Sequence, residues 1–175
     1  MALAFVKTTE RGLTDRALSE FANRLQADGF RLASVVQTNS DRPGSHHCDM
    51  DVRVLPDGPV IRISQTLGEA SRGCRLDPAA LERSVALVEA GLETVPDLLI
   101  LNKFGKHEAG GKGFRPLIAA ALARDIPVLL GVNGLNQDAF NEFNCGYGKE
   151  ITTDADRLSA WFRSVQRMAA DGCSA

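Results

Sequence analysis

Side chains able to handle an anion recur in three loops of this sequence. The first, Lys7–Asp15 (KTTERGLTD), brings Lys7 and Arg11. The second, Asn102–Gly113, brings Lys103, Lys106 and Lys112, with Arg115 just beyond it, and the third is Asn133–Asn136. Cations beside a helix start form an anion site, because unpaired backbone N–H groups and the helix dipole add to the side-chain charge. Arg72 and Arg75 flank Gly73-Cys74 in an irregular stretch and are candidates to fold over such a ligand. The competing reading of all these cations is a solvated surface that keeps the protein soluble.

KTTERGLTD also occupies the place of a phosphate loop, G-x-x-x-x-G-K-[ST], whose glycines let the backbone wrap phosphates while the lysine reaches the terminal ones. Gly12 and Thr14 match the second glycine and the hydroxyl position; Lys7 and Leu13 stand where the first glycine and the lysine belong. Asp15 is an objection, since a carboxylate in the first helical turn repels an anion docked there. It is equally a favourable helix-start charge with no ligand in view.

A second chemistry is metal binding. His46-His47-Cys48-Asp49, with Asp51 close by, is the densest group of ligand types, and Cys74 and Cys145 would complete a zinc or other transition-metal site if the loops converge. Against it stands a polar loop accompanied by small buried thiols, free cysteine being among the most buried residue types. No CxxC pair occurs, and a Cys48–Cys74 disulfide is disfavoured in a reducing compartment. Nucleophilic cysteine chemistry would need a base, for which His107 and His46 are the candidates.

Strand and helix signals alternate, the pattern of an α/β domain with a mostly parallel sheet. Strands are expected at Ala2–Lys7, Arg31–Gln37, Asp97–Asn102 and Ile126–Val132; DLLILN and IPVLLGV are apolar enough for central strands covered on both faces. Asp51–Leu55 and Val60–Ser64 flank Pro56-Asp57-Gly58-Pro59, a hairpin signal. Thr38–His47 and Gly68–Arg75 show no periodicity and read as loops. Helical spacing begins at Thr14, with Ala17, Leu18, Phe21, Ala22 and Leu25 on one face. Asp77-Pro78 opens a second helix with a cap followed by proline. Helices are also expected after Gly113, near Asn136–Phe143 and over Asp154–Met168, the last with Leu158, Trp161, Phe162, Val165 and Met168 together.

With 175 residues and no repeat or linker, the chain reads as a single domain over 1–175. Twenty Lys+Arg against twenty-two Asp+Glu give a net charge of −2, which argues against a nucleic-acid binder. No apolar run approaches the roughly 20 residues of a membrane span, and no signal peptide is recognisable. Four unpaired-looking cysteines fit a cytoplasmic setting.

The order of elements resembles the small P-loop nucleoside-triphosphatases first described from thermophiles. There a strand, phosphate loop and helix precede an antiparallel excursion and then a strand ending D-E-x-G-K-x-E; this chain has Asn102-Lys103-Phe104-Gly105-Lys106-His107-Glu108 at that place. It is more closely similar to an uncharacterised bacterial family with CDMD, RISQ-LG, RGCRLD, NKFGK-E and PVL-GVN segments, which read here Cys48–Asp51, Arg62–Gly68, Arg72–Asp77, Asn102–Glu108 and Pro127–Asn133. The resemblance implies a three-layer P-loop-NTPase-like domain with a small antiparallel insertion around residues 48–66, and a link to molybdenum transport. In the NTPases the acidic pair at the strand end holds magnesium through water and positions the attacking water. Asn102 and Lys103 stand there instead, and Leu13 replaces the phosphate-loop lysine. Ordinary NTP hydrolysis is therefore not expected.

The expected function is that of a degenerate P-loop-like domain binding an anionic small ligand, an oxyanion such as molybdate, through backbone N–H groups around Gly12–Asp15 with Arg11 and Lys103 as charge partners. Its alternatives are a nucleoside triphosphatase with rearranged groups, binding a nucleotide with magnesium, and a non-catalytic adaptor. Glu108 or Asp15 would take the metal-side role in the first of these. A molybdenum-transport partner and a homodimer formed through the sheet edge or last helix are the assemblies left open.

Overall fold

Strands whose every side chain is apolar need cover on both faces, and the sheet of this chain receives it. The computed structural model describes residues 2–41, 48–65 and 75–172. Among the described residues seven strands, β1 (Leu3–Val6), β2 (Leu32–Asp41), β3 (Cys48–Leu55), β4 (Val60–Arg62), β5 (Leu98–Phe104), β6 (Val128–Val132) and β7 (Lys149–Glu150), form one sheet in the order β4-β3-β2-β5-β6-β1-β7. β2, β5, β6, β1 and β7 run parallel; β3 and β4 extend the β2 edge antiparallel. The chain thus has an α/β fold with a mostly parallel sheet and an antiparallel part.

The two-residue period of a strand divides the core. Leu99 and Leu101 of β5 and Val128 and Leu130 of β6 join α2 (Pro78–Leu92) and α4 (Arg115–Ala123) in one cluster. Leu98, Ile100 and Leu129 face the other way, against α1 (Leu13–Ala27) and α6 (Ala155–Gly172). Phe162 of α6 meets Phe21 and Phe30 edge-on, with centroids 6.4 and 5.0 Å apart. Asp77 caps α2 as its type and spacing foretell, accepting from Ala79 N and Ala80 N at 2.9 and 3.1 Å. Packing on α6 ends at Val165; Met168, expected on the same face, is 73% exposed.

β2 departs most from the sequence reading. It does not stop at Gln37 but continues through Thr38–Asp41, paired residue for residue with Asp51–Cys48 of β3. The β2 side of this ladder is exposed, so Thr38, Asn39, Ser40 and Asp41 carry no apolar alternation and resemble a loop. β3 likewise begins at Cys48, and β5 runs two residues past Asn102. Ser64 makes only an isolated bridge to Leu76. On the outer ladder Arg62 reaches Asp51 Oδ1 at 2.6 Å and Asp49 Oδ2 at 2.7 Å. The Asp51 hydrogen bond, with both carboxylates' charge, holds the guanidinium pKa above its ordinary value.

Two-sided burial makes the centre of β5 sensitive to truncation. Leu101→Ala is expected to cost about 2–5 kcal/mol through lost transfer energy and a residual cavity. Leu87→Ala, at a position 42% exposed on α2, is expected to cost under about 0.5 kcal/mol. Urea unfolding midpoints check the pair, and equal effects would contradict this layering.

Candidate functional site

At the carboxyl edge of the sheet lies a cleft of about 570 Å³. An open parallel sheet builds its ligand sites there, where strand-end loops meet helix starts. Its walls come from the loop after β1, the first turn of α1, the outer half of β2, the start of β3, Arg75-Leu76, and the loops after β5 and β6.

Local packing determines what the floor contains. β6 passes so close beneath α1 that a Cβ on Gly131 would stand 2.7 Å from Thr14 Cγ2 and 3.3 Å from Asn102 Oδ1. Glycine at 131 therefore lets the start of α1 and the end of β5 meet over one spot. Gly12, at φ +79°, turns the chain into α1 as its N-cap, a left-handed conformation that favours glycine. The first-turn N–H groups that follow have no acceptor within the helix.

Over this floor runs a polar chain. Gln37 Nε2 donates to Asn39 Oδ1 at 2.7 Å, and Asn39 Nδ2 donates to Asp15 Oδ2 at 2.6 Å. Lys103 Nζ donates to Asp15 Oδ1 at 3.4 Å. Arg11 Nη2 lies 3.6 Å from the half-buried Cys48 Sγ, and Arg75 Nη1 donates to Cys48 O at 3.1 Å. Asn102 sits among these groups 3% exposed, and neither its Oδ1 nor its Nδ2 has a hydrogen-bond partner. A buried, unsatisfied carboxamide costs free energy, so its position at a cleft points to a ligand group.

Glu108 does a different job from the metal-side role offered to it as an alternative. It is 3% exposed, and its Oε2 accepts from Gly105 N at 2.9 Å while its Oε1 accepts from Phe114 N at 3.1 Å. The carboxylate thus closes the loop around α3 (Lys106–Ala109), a short helix inside the segment read as irregular. Gly113 permits this, because a Cβ there would overlap Glu108 Oε1.

Of the residues singled out from sequence, Arg11, Gly12, Thr14, Asp15, Arg75, Asn102, Lys103 and Lys106 all line the cleft. Lys7 does not; it pairs with Glu150 at 3.2 Å on the neighbouring strand end. Arg72 lies outside the described residues, as do His46, His47 and Cys74. The four remaining members of the metal group are not brought together at the cleft: Cys48 lines it, Asp49 and Asp51 pair with Arg62 on the outer ladder, and Cys145 sits exposed at the end of α5 (Gln137–Asn144). Among the described residues no group of three or more metal-ligating side chains occurs. Sequence reasoning missed Gln37 and Asn39 as site residues: Gln37 ends the expected strand without a motif to mark it, and Asn39 lies on the unforeseen extension of β2.

A magnesium–nucleotide centre of the NTPase kind does not fit these residues. The acidic pair is replaced by Asn102 and Lys103, and Asp15, a carboxylate that lines the cleft, already faces the Lys103 ammonium. A divalent cation at Asp15 would meet a fixed positive charge.

Comparison with known proteins gives three findings. The family described as "Protein of unknown function (DUF2478)" matches residues 3–161. The Molybdenum import ATP-binding protein ModC 2 of Bradyrhizobium diazoefficiens is 36% identical over 152 residues, which is 86% of this chain and 17% of that protein. This chain thus spans about a sixth of that relative's length. The solution structure of a human cancer-related nucleoside triphosphatase superposes with a TM-score of 0.62 at 14% identity, covering 97% of each chain, which shows a shared P-loop-NTPase-like fold.

The Glu108 contacts make the rigidity of the α3 loop testable. Glu108→Ala strips two buried N–H groups of their acceptor and is expected to cost about 1–3 kcal/mol. Amide exchange at Gly105 and Phe114 should accelerate more than at Leu130. An unchanged exchange pattern would refute this role.

Proposed function

The chain belongs to the DUF2478 family, and from its own cleft we propose that it binds the oxyanion group of a small anionic ligand without hydrolysing it, in molybdenum handling or transport. The observation that carries this reading is the convergence of Arg11, Arg75, Lys103 and Lys106 on a cleft over the first turn of α1, with the unpartnered Asn102 at its floor. Backbone N–H groups and side-chain cations together stabilise an oxyanion. Molybdate, phosphate and phosphate esters share the tetrahedral shape that such a site recognises.

The volume, about 570 Å³, falls in the range of pockets that hold organic ligands. The oxyanion is therefore free, or the head of a larger molecule. The absence of NTPase-type hydrolysis is argued from residue type: that mechanism draws on a metal ion and a group that positions the attacking water, and Asn102 and Lys103 bring no carboxylate for either task. The molybdenum context rests on the relative's name. The ATP binding in that name belongs to a protein of which the matched segment is 17%.

Calorimetric titration of the reduced, metal-stripped protein with phosphate, molybdate and ATP tests the proposal. Saturable binding of at least one is expected, weakened tenfold or more, about 1.4 kcal/mol, by Lys103→Met. Phosphate release from ATP with magnesium should not exceed the blank. Release that Thr14→Ala abolishes would favour a rearranged phosphohydrolase. Silence with all three ions would leave the adaptor reading.

A further inference from the structure

We propose that the oxyanion held in this cleft carries a proton: the site takes hydrogen phosphate or the head of a phosphate monoester in preference to fully ionised tetraoxoanions such as sulfate and molybdate. This rests on the reading that the cleft binds an anion, and it decides among the ions which that reading leaves equivalent.

A fully ionised tetraoxoanion can only accept hydrogen bonds. The floor of the cleft offers donors, as any anion site must: the Lys103 ammonium, the Thr14 hydroxyl and the first-turn N–H groups of α1. It offers buried acceptors as well. Asp15 is 7% exposed and lines the cleft. Its oxygens receive Asn39 at 2.6 Å and Lys103 at 3.4 Å. A carboxylate has about four lone-pair sites, so acceptor capacity remains after these two bonds. Asn102, 3% exposed, adds an unpartnered Oδ1 beside an unpartnered Nδ2, and turning the amide over leaves the same one acceptor and one donor. The Gly131 approach holds Thr14 and Asn102 over one spot, and Asp15 is the next residue of α1.

A ligand that only accepts would set its oxygen lone pairs against those of Asp15, charge against like charge in a partly buried site. Its contact with Asn102 would satisfy Nδ2 and leave the Oδ1 orphaned. A ligand with one O–H reverses both effects. The hydroxyl donates to Asp15 or Asn102, an O–H···O contact that is among the strongest when the acceptor is ionised, while its other oxygens face the cations. Phosphate keeps a proton at neutral pH, and a monoester, with a second pKa of about 6, readily takes one. Sulfate and molybdate are fully ionised there. Asp15, an obstacle to a generic anion site, becomes the residue that selects the protonated class.

The test is a calorimetric titration of the full chain at one pH, about 6, and one salt concentration, with four probes: inorganic phosphate, phenyl phosphate, sulfate and molybdate. Phosphate, phenyl phosphate or both should bind at least tenfold tighter than sulfate and molybdate. Binding of phosphate alone identifies a free ion as the source, and binding of phenyl phosphate alone identifies an ester. Asp15→Asn, which removes the charge and supplies a donor, should strengthen sulfate and molybdate at least tenfold and erase the preference. Sulfate or molybdate equal to phosphate in the wild type would overturn the inference while leaving the anion site intact. An Asp15→Asn protein with unchanged selectivity would also overturn it. Silence with all four would bring down the anion reading itself. Should Asp15→Asn not fold, the wild-type ratio decides alone.

Discussion

The contact on which the site is organised is the ion pair between Asp15 and Lys103, whose partners stand 88 residues apart in the chain. It ties the start of α1 to the end of β5 across the top of β6. The Asp15 side chain is 9% exposed and that of Lys103 is 32% exposed. At 3.4 Å, with the ammonium still touching water, such a pair adds little net stability. Its importance is conditional. A nearly buried carboxylate beside a helix start is tolerable only with a partner, and Lys103 supplies the charge that Asn39 cannot. Each residue therefore sets the electrostatic character of the other, and neither can be assigned a role in anion binding alone.

The scaffold beneath this pair is indifferent to the chemistry above it. Parallel β1, β5 and β6 deliver three successive loops to one edge because their side chains alternate between two helical layers, and that geometry would be the same with an acidic pair at 102 and 103. The shared fold with a nucleoside triphosphatase at 14% identity is thus consistent with a site that has exchanged its polarity. Where two carboxylates would attract a metal ion, the proposed anion would meet an amide and an ammonium. A cation then belongs to the protein rather than to the substrate complex.

Legibility in the sequence followed burial. Leu98–Leu101 and Val128–Val132 announce themselves because every side chain is inside, and α1 and α6 because one face is. Arg11, Thr14 and Lys103 are legible as neighbours of such strand ends, although Lys103 lies within the last part of β5 and not in the loop after it. Residues 38–41 were misread because backbone pairing with β3, not side-chain burial, makes them a strand, and pairing leaves no periodic mark. Asn39 is hidden with them, whereas Gln37 falls in the expected strand and only its part in the site goes unmarked. Glu108 was legible as a carboxylate near the site, but its bonds to Gly105 and Phe114 arise from the fold of the α3 loop. Lys7 fell away because its neighbour across the sheet, Glu150, belongs to β7, a two-residue strand with little pattern to find.

The composition of the cleft bears on how the proposed anion would be recognised. Arg11, Arg75, Lys103 and Lys106 face Glu10, Asp15 and Glu108, and Glu108 is committed to loop backbone. That is a modest positive excess. Carboxamides are abundant instead: Gln37, Asn39, Asn102 and Asn133 all line the walls. Amides discriminate by the polarity of hydrogen bonds rather than by charge. Gln37 and Asn39 form a donor chain ending on Asp15, and the Asn133 side chain accepts from Leu135 N, so three of the four have contacts within the protein. Asn102 has none. The folded chain carries the desolvation cost of that side chain, about 1–3 kcal/mol for a buried unmade bond. A ligand that meets it with both a donor and an acceptor recovers that cost on binding, whereas an acceptor-only ion recovers half the contacts. Affinity and selectivity would then have one origin, a polar group left unsatisfied until the matching ligand arrives.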